Sequence, residues 1–215
     1  MLKHLFQSDK NNQDNQFEWK TKSTYDSLWQ TVGEFIIEII KVVIISLAII
    51  IPVRYFLIQP FYVKGASMEP SFHDHEYLII NEIDYRLNSP QRGDIVVFRY
   101  PKDPSQYFIK RIIGLPGEKI KIKDSKIYIF NDQHPDGIAL NEDVYLPEDV
   151  QTLTSGKTEF VLDDGQYFVL GDNREASLDS RRFGAVPRRL IIGKAWVRGW
   201  PLDKLTLFQA PKYSL

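Results

Sequence analysis

The stretch KIKIKDSKIYIF, residues 119–130, decides the fold class of the domain that contains it. Isoleucines alternate with lysines and other residues on both sides of a short KDSK turn. Because side chains alternate across a strand, this pattern is typical of a β-hairpin with one buried face. It predicts that Ile120 and Ile122 face the same way as Ile127 and Ile129.

Further runs rich in β-branched and aromatic residues lie on both sides of this hairpin. They are EYLIIN (76–81), DIVVFRY (94–100), YFIKRII (107–113), QYFVL (166–170) and LIIGKAWVR (190–198). Clusters of Gly, Pro and Asp separate the runs, and no pattern past residue 60 predicts a long helix. We therefore predict an all-β domain with one core over residues 59–215, with a long excursion of turns at about 131–159.

The segment FIIEIIKVVIISLAIIIPVRYFLI, residues 35–58, has a different character. As a helix it would be about 36 Å long, and a bilayer core is roughly 30 Å thick. We predict a polar tail at 1–33 and a single transmembrane anchor at 34–58. The alternatives are a buried helix of a soluble domain and the apolar part of a signal peptide, which this segment starts too late to resemble. The flanking positive charges are equal in number and leave the orientation open.

Composition excludes several classes of function. The formal net charge is −1 and no basic run is long enough for a nucleic-acid patch, so no nucleic-acid partner is expected. The chain has no cysteine, which excludes disulfides, thiolate nucleophiles and cysteine metal sites. Only four histidines are present, so a mechanism that needs a histidine base has few candidates.

A serine and a lysine, Ser67 and Lys110, form a candidate catalytic pair. On a strand, Lys110 would share its face with Phe108 and Ile112, and burial lowers the pKa of an amine until it can act as a base. Ser67, in VKGASMEPSF, would become a nucleophile only with such a base nearby. The alternatives without catalysis are that Lys110 lies on an edge strand and reaches water, and that Ser67 is an unreactive loop serine. A triad or metal site at FHDH (72–75) is less favoured, since solvated loop histidines are commoner.

Four segments together resemble the bacterial type I signal peptidases, the Ser-Lys leader peptidases of family S26. They are GASMEPS (65–71), RGDIVVF (92–98), KRIIGLPGE (110–118) and GDNREASLDSRRFG (171–184). By itself the last segment could equally be a loop of turns and ion pairs. The resemblance implies a signal-peptidase-like β fold behind one transmembrane helix. The rival interpretations are a membrane-anchored domain that only binds a partner and a self-cleaving Ser-Lys repressor.

The resemblance also implies roles for individual residues. Ser67 corresponds to the nucleophile, Lys110 to the general base, and Ser177 to the hydroxyl that orients the lysine. Asp179 and Arg181 correspond to a supporting ion pair.

Two parts of the site remain expectations at this stage. In some members a hydroxyl two residues before the nucleophile helps to form the oxyanion hole. Gly65 stands there, so the hole is expected to use the Ser67 amide, with either the Gly65 amide or a water molecule as the second donor. The residues that flank the catalytic pair are expected to form the substrate walls: Phe61, Val63, Met68, Phe108 and Ile109.

The implied activity is removal of signal peptides after small residues at positions −1 and −3, with no cofactor and no metal. The implied partners are preproteins that carry signal peptides, the lipid bilayer and the protein-export machinery. The implied location is the cell membrane, crossed once, with the N-terminus cytoplasmic and the catalytic domain outside, or the thylakoid membrane in a photosynthetic source.

Overall fold

A computed structural model describes residues 24–52, 58–154, 156–211 and 213 of the chain. The chain divides into two compact units, residues 1–49 and 50–215. The first contains most of one long helix and the second contains the β-strands, so the predicted order of an apolar helix followed by a mostly β domain is confirmed.

Helix α1, Thr24–Pro52, is long and apolar enough to cross a membrane. Its stretch Trp29–Pro52 has 24 residues and a mean hydropathy of 2.6, and its membrane-length window is not buried. The exposed apolar side chains argue against a core helix of a soluble domain, which would bury one face.

The boundaries of the helix differ from the predicted ones. Residues 24–33 belong to α1, although we assigned residues 1–33 to a polar tail, of which 1–23 lie outside the described residues. Helix propagation adds one hydrogen bond per residue, so polar residues extend a helix that an apolar segment has nucleated. The described part of the helix reaches Pro52, and Ile58 already belongs to β1 rather than to the anchor.

Two antiparallel sheets form the β domain. In the large sheet the order is β1-β2-β11-β3-β4-β9-β10, with β12 beside β11, and in the small sheet it is β7-β6-β5-β8. The large-sheet strands are β1 (Ile58–Tyr62), β2 (Tyr77–Asn81), β3 (Ile95–Tyr100), β4 (Asp103–Gly114), β9 (Gln166–Leu170), β10 (Val186–Pro187), β11 (Ile191–Trp200) and β12 (Thr206–Leu207). The small-sheet strands are β5 (Lys119–Lys123), β6 (Lys126–Phe130), β7 (Ile138–Ala139) and β8 (Glu159–Val161).

The hairpin at 119–130 forms as its alternation predicts. Strands β5 and β6 pair in the register that sets Ile120 opposite Ile129 and Ile122 opposite Ile127. The two turn residues, Asp124 and Ser125, have φ angles of 50° and 62°, as the favoured two-residue hairpin turn requires. Each of the other predicted runs contains a strand, and the short helices α2 (Asp84–Leu87) and α3 (Ser180–Phe183) have one turn each.

The interior contains three clusters of buried side chains rather than the one core predicted. Strand β3 explains the division, because Ile95 and Val97 belong to one cluster and Val96 and Phe98 to another. Alternate residues of a central strand face opposite sides of a sheet, so the large sheet buries both faces. The third cluster lies under the small sheet, where Ile120 is fully buried.

Candidate active site

Strand β4 holds Lys110 in an apolar setting. Lys110 pairs with Val96 of β3, and its own face carries Phe108 and Ile112, as the alternation predicts. The lysine is 4% exposed. Its Nζ lies 2.6 Å from Ser67 Oγ and 2.7 Å from the carbonyl oxygen of Ile109. The structure therefore brings together two residues that are 43 positions apart in the sequence.

Burial lowers the pKa of Lys110 to about 8, because the charged amine loses its hydration. The carboxylates of Asp179 and Asp172 oppose this shift, since their negative charge stabilises the ammonium. The amine is thus neutral in a substantial fraction of molecules near pH 8 and can accept a proton from the Ser67 hydroxyl.

The nucleophile segment is fixed from both sides. Met68 and Phe72 are fully buried, and the Phe72 amide donates to the Met68 carbonyl at 2.9 Å. In the loop after β9, the Asn173 backbone amide donates to the Ser67 carbonyl at 3.2 Å. The Asn173 side chain donates to the Ala66 carbonyl at 3.1 Å. Asn173 therefore ties the nucleophile to the loop after β9.

The Gly65 amide is not free for an oxyanion, which corrects the expectation from sequence. It donates to Asp74 Oδ1 at 2.8 Å, and this hydrogen bond lowers the pKa of the Asp74 carboxyl. The backbone at Gly65 has a φ of 90°, which glycine adopts readily, and this turn directs the amide towards Asp74. Within the described residues the Ser67 amide donates to no acceptor, so it is the available backbone donor.

Ser177 lies close to the dyad but forms no hydrogen bond with Lys110. Its Oγ is buried and has no hydrogen-bond partner within the part of the chain that the structure describes. It packs against Gly171, where an added Cβ would come within 3.0 Å of Ser177 Oγ, Ser177 Cβ and the Ser67 carbonyl oxygen. Gly171 thus allows the loop to lie directly against the nucleophile.

Asp179 and Arg181 form an ion pair, as the family resemblance implied. Arg181 Nε and Nη2 each donate to the fully buried Asp179 carboxylate at 2.8 Å. The same carboxylate accepts the Gly171 amide at 3.2 Å, so it also fixes the residue that packs against Ser67. Arg181 further donates to the carbonyls of Leu153 and Arg174.

A second buried network lies on the opposite face of β4, and the sequence analysis did not assign it. Arg111 donates twice to Asp172, at 2.9 Å and 2.6 Å, and contacts the Gly93 carbonyl at 3.0 Å and Ser71 Oγ at 3.2 Å. Its guanidinium stacks over the Tyr145 ring at 4.0 Å. A buried arginine needs acceptors for its charged guanidinium. The position of Arg111 in an apolar strand could therefore have predicted that a carboxylate lies beside it.

The excursion at 131–159 supports the loop after β9. Arg174, 3% exposed, pairs with Glu142 of the excursion at 3.0 Å and 2.6 Å, and it donates to Thr152. Its Nε also donates to the Gly171 carbonyl at 3.0 Å. The excursion contains turns, as predicted, but its contribution to the site was missed because ion pairs distant in sequence leave no local pattern.

A groove of about 540 Å³ opens beside the dyad. Four of the five predicted wall residues line it: Phe61, Val63, Phe108 and Ile109. The prediction for Met68 is wrong, because this side chain points into the core with Phe72 and does not line the groove. Tyr62 and Tyr107, which adjoin these residues in the sequence, line it too. Further lining residues that the sequence did not indicate are Lys64, Leu78, Val97, Gln106, Ala176 and Leu178.

The two strands beside the groove have unpaired edges. Strand β1 pairs only with β2, and the part of β4 before Arg111 pairs only with β3, within the described residues. The rings of Phe61 and Tyr107 contact each other across the groove, with centroids 5.6 Å apart. Unpaired strand edges offer backbone hydrogen-bonding groups, so an extended peptide fits chemically between them.

Comparison with known proteins gives consistent matches. The model of the family "Signal peptidase, peptidase S26" matches residues 36–200. A probable signal peptidase I-2 of Synechocystis sp. is 36% identical over 193 residues, which covers 87% of this chain and 81% of the relative. Signal peptidase IB of Staphylococcus aureus (strain COL) is 33% identical over 178 residues, with 79% and 92% covered. The crystal structure of a signal peptidase I from Enterococcus faecalis V583 is 34% identical, with a TM-score of 0.39, and covers 50% of this chain and 97% of that chain.

Proposed function

Because the chain belongs to the S26 family of signal peptidases, which are serine endopeptidases, we propose that it removes signal peptides with a Ser67–Lys110 dyad. The observation that carries the proposal is the 2.6 Å distance between Ser67 Oγ and a buried Lys110 Nζ. A hydroxyl becomes a competent nucleophile when a base can take its proton within hydrogen-bond reach.

The reaction uses the lysine twice. Neutral Lys110 takes the Ser67 proton as Oγ attacks the carbonyl carbon at the cleavage site, and the resulting ammonium then protonates the leaving amine. The acyl-enzyme is hydrolysed when the neutral amine removes a proton from the attacking water. Because burial lowers the pKa of Lys110 to about 8, both protonation states are accessible near neutral pH.

The developing oxyanion faces the free amide of Ser67. This is the only donor that we assign, because the Gly65 amide is held by Asp74 at 2.8 Å. Removing one donor from an oxyanion hole costs roughly 3–4 kcal/mol of activation free energy. The Asp74 contact therefore gives this site a different donor arrangement from one with a hydroxyl at position 65.

The groove supports selection for small residues at positions −1 and −3. In an extended peptide, side chains two residues apart point the same way, so −1 and −3 would face one wall together. The candidate wall contains the apolar side chains of Phe61, Val63, Phe108 and Ile109, which occupy space beside the dyad. We propose that exclusion of volume, rather than a charge or a hydrogen bond, sets the cleavage specificity.

Helix α1 supports a membrane-bound enzyme that meets its substrates at the bilayer. We propose a single crossing with the N-terminus cytoplasmic and the β domain outside the cytoplasm, where preproteins leave the protein-export machinery. Protease added to intact cells or sealed vesicles tests this topology, because the β domain should be digested without lysis.

The activity is tested with purified protein in detergent and a preprotein that carries an A-x-A site, with the cleaved bond mapped by mass spectrometry. Ser67→Ala and Lys110→Met should each abolish cleavage while folding is retained. Ser89→Ala and Lys102→Met, which alter exposed residues of the same types, are the matched controls and should cleave normally. Cleavage by Ser67→Ala at the wild-type rate would falsify the dyad, and no cleavage by wild type would favour a domain that only binds.

A further inference from the structure

The segment that follows β12 reaches the network on the far side of β4 from Lys110. Tyr213 packs edge-to-face on Tyr145, with ring centroids 6.3 Å apart, and Tyr145 in turn carries the Arg111 guanidinium 4.0 Å above its ring. Tyr213 therefore contacts Tyr145, and Tyr145 contacts Arg111, which is the residue after Lys110 in β4.

Tyr213 also contacts the backbone that binds Arg111. The Gly93 carbonyl accepts Arg111 Nη1 at 3.0 Å. The other side of Gly93 is covered by Pro211 and Tyr213, because a Cβ added there would lie 2.8 Å from Pro211 Cδ and 2.8 Å from Tyr213 Cε2. Two of the partners of Arg111, the Tyr145 ring and Gly93, are therefore both held by the Tyr213 ring.

The ring of Tyr213 makes the contacts with Tyr145 and Gly93. Its hydroxyl is buried beside Tyr145 and Arg111, both of which act to lower its pKa. Burial raises the pKa of Tyr213 to about 12, so the side chain is neutral at working pH. The ring packs against the buried cluster under the small sheet, whereas Tyr145 and Arg111 are polar groups that need a cover against water.

We propose that Tyr213 is a positioning residue for Lys110, acting through Tyr145 and Arg111; the proposal rests on the dyad function proposed above. Arg111 joins β4 to the nucleophile segment at Ser71 and to the loop after β9 at Asp172. Without the Tyr213 ring, water and side-chain motion enter this network, and β4 no longer holds Lys110 at its distance from Ser67. A displacement of about 1 Å in a catalytic group can cost roughly 100-fold in rate.

The test uses the full-length protein in detergent, with kcat, KM and thermal unfolding measured for each variant. Tyr213→Leu should lower kcat by roughly 10- to 100-fold and leave KM within about twofold, because neither Tyr213 nor its contacts Tyr145 and Gly93 line the substrate groove. Tyr213→Phe should retain wild-type kcat, because the ring that contacts Tyr145 and Gly93 remains in place. Should Tyr213→Leu fail to fold, Tyr213→Met keeps more of the volume and should show the same loss in kcat.

A matched control separates positioning from stability. Ile138→Ala removes a side chain that packs against the same cluster as Tyr213 but does not contact Arg111. It should lower the unfolding temperature and keep the wild-type kcat when assayed below that temperature. The proposal is overturned if Tyr213→Leu keeps the wild-type kcat, or if Tyr213→Phe loses as much as Tyr213→Leu. Wild type and Ser67→Ala run in parallel, so inactive wild type or active Ser67→Ala signals instead a failure of the proposed function.

Discussion

A methyl group added at Gly171 should separate catalysis from substrate binding. In Gly171→Ala the new Cβ would lie 2.6 Å from Ser177 Cβ and within 3.0 Å of Ser177 Oγ and the Ser67 carbonyl oxygen. Ordinary contact begins near 3.4 Å, so Ser177 Cβ must retreat by about 0.8 Å and the other two groups by more. The Ser67 carbonyl is backbone and is also held by the Asn173 amide, so it cannot move away as a flexible side chain would.

The magnitude follows from two separate effects. Overpacking in a well-packed site costs about 1–3 kcal/mol of folding free energy. Shifting the nucleophile by nearly 1 Å relative to its base costs roughly 100-fold in kcat, which corresponds to about 3 kcal/mol of activation free energy. We therefore expect folded Gly171→Ala protein with a slightly lower unfolding temperature and a kcat reduced by about two orders of magnitude.

The assay compares kcat, KM and thermal unfolding with those of Gly199→Ala. Gly199 also lies outside the positive-φ region, and its added Cβ would meet no atom closer than 3.8 Å, so this control should behave like wild type. Gly171→Ala protein that unfolds cooperatively and keeps kcat within threefold of wild type would refute the claimed contact between the loop and the nucleophile.

Two further predictions concern the charge of Lys110. The acidic limb of kcat/KM against pH should lie near pH 8, the pKa of Lys110. Asp179→Asn should move this limb to lower pH, because the Asp179 carboxylate raises the pKa of Lys110. A shift of the limb to higher pH would contradict this reasoning. Lys110→Met should be inactive yet more stable by about 3 kcal/mol at pH 7, since the lysine pKa falls from 10.5 to about 8 on folding. Between those values the unfolded wild type binds more protons than the native state, so its stability rises with pH. Urea unfolding at pH 7 and 9.5 should show the advantage of Lys110→Met shrinking.

The sequence predicted those parts of the fold and site that depend on local periodicity. The hairpin at 119–130 and the shared face of Phe108 and Lys110 follow from alternation along one strand, and both appear in the structure. Alternation left open whether Lys110 is buried or reaches water from an edge strand, and its 4% exposure shows that it is buried. The pairing of Ser67 with Lys110 came from resemblance, because no local pattern reports a contact across 43 residues.

Loop geometry accounts for the expectations that the structure changed. Whether Met68 lines the groove or enters the core depends on the turn that leads to Phe72, and whether Gly65 offers its amide depends on where Asp74 lies. The place of Ser177 also depends on loop geometry, because it packs against Gly171 in a loop without regular structure. Side chains in such loops have no fixed period, so sequence spacing does not determine their direction.

The buried charges beneath the site have a physical role that differs from stabilisation. The fall in the pKa of Lys110 from 10.5 to about 8 corresponds to about 3 kcal/mol of destabilisation at pH 7, beside the 5–15 kcal/mol typical of domains. Buried ion pairs contribute little net stability, because desolvation offsets their attraction. Arg111 and Arg174 are nevertheless 3% exposed, and each is satisfied only when the loop after β9 presents Asp172 and the Gly171 carbonyl at fixed places. A satisfied charge network permits fewer geometries than an apolar contact does. It therefore suits a site whose chemistry depends on a short distance between an amine and a hydroxyl.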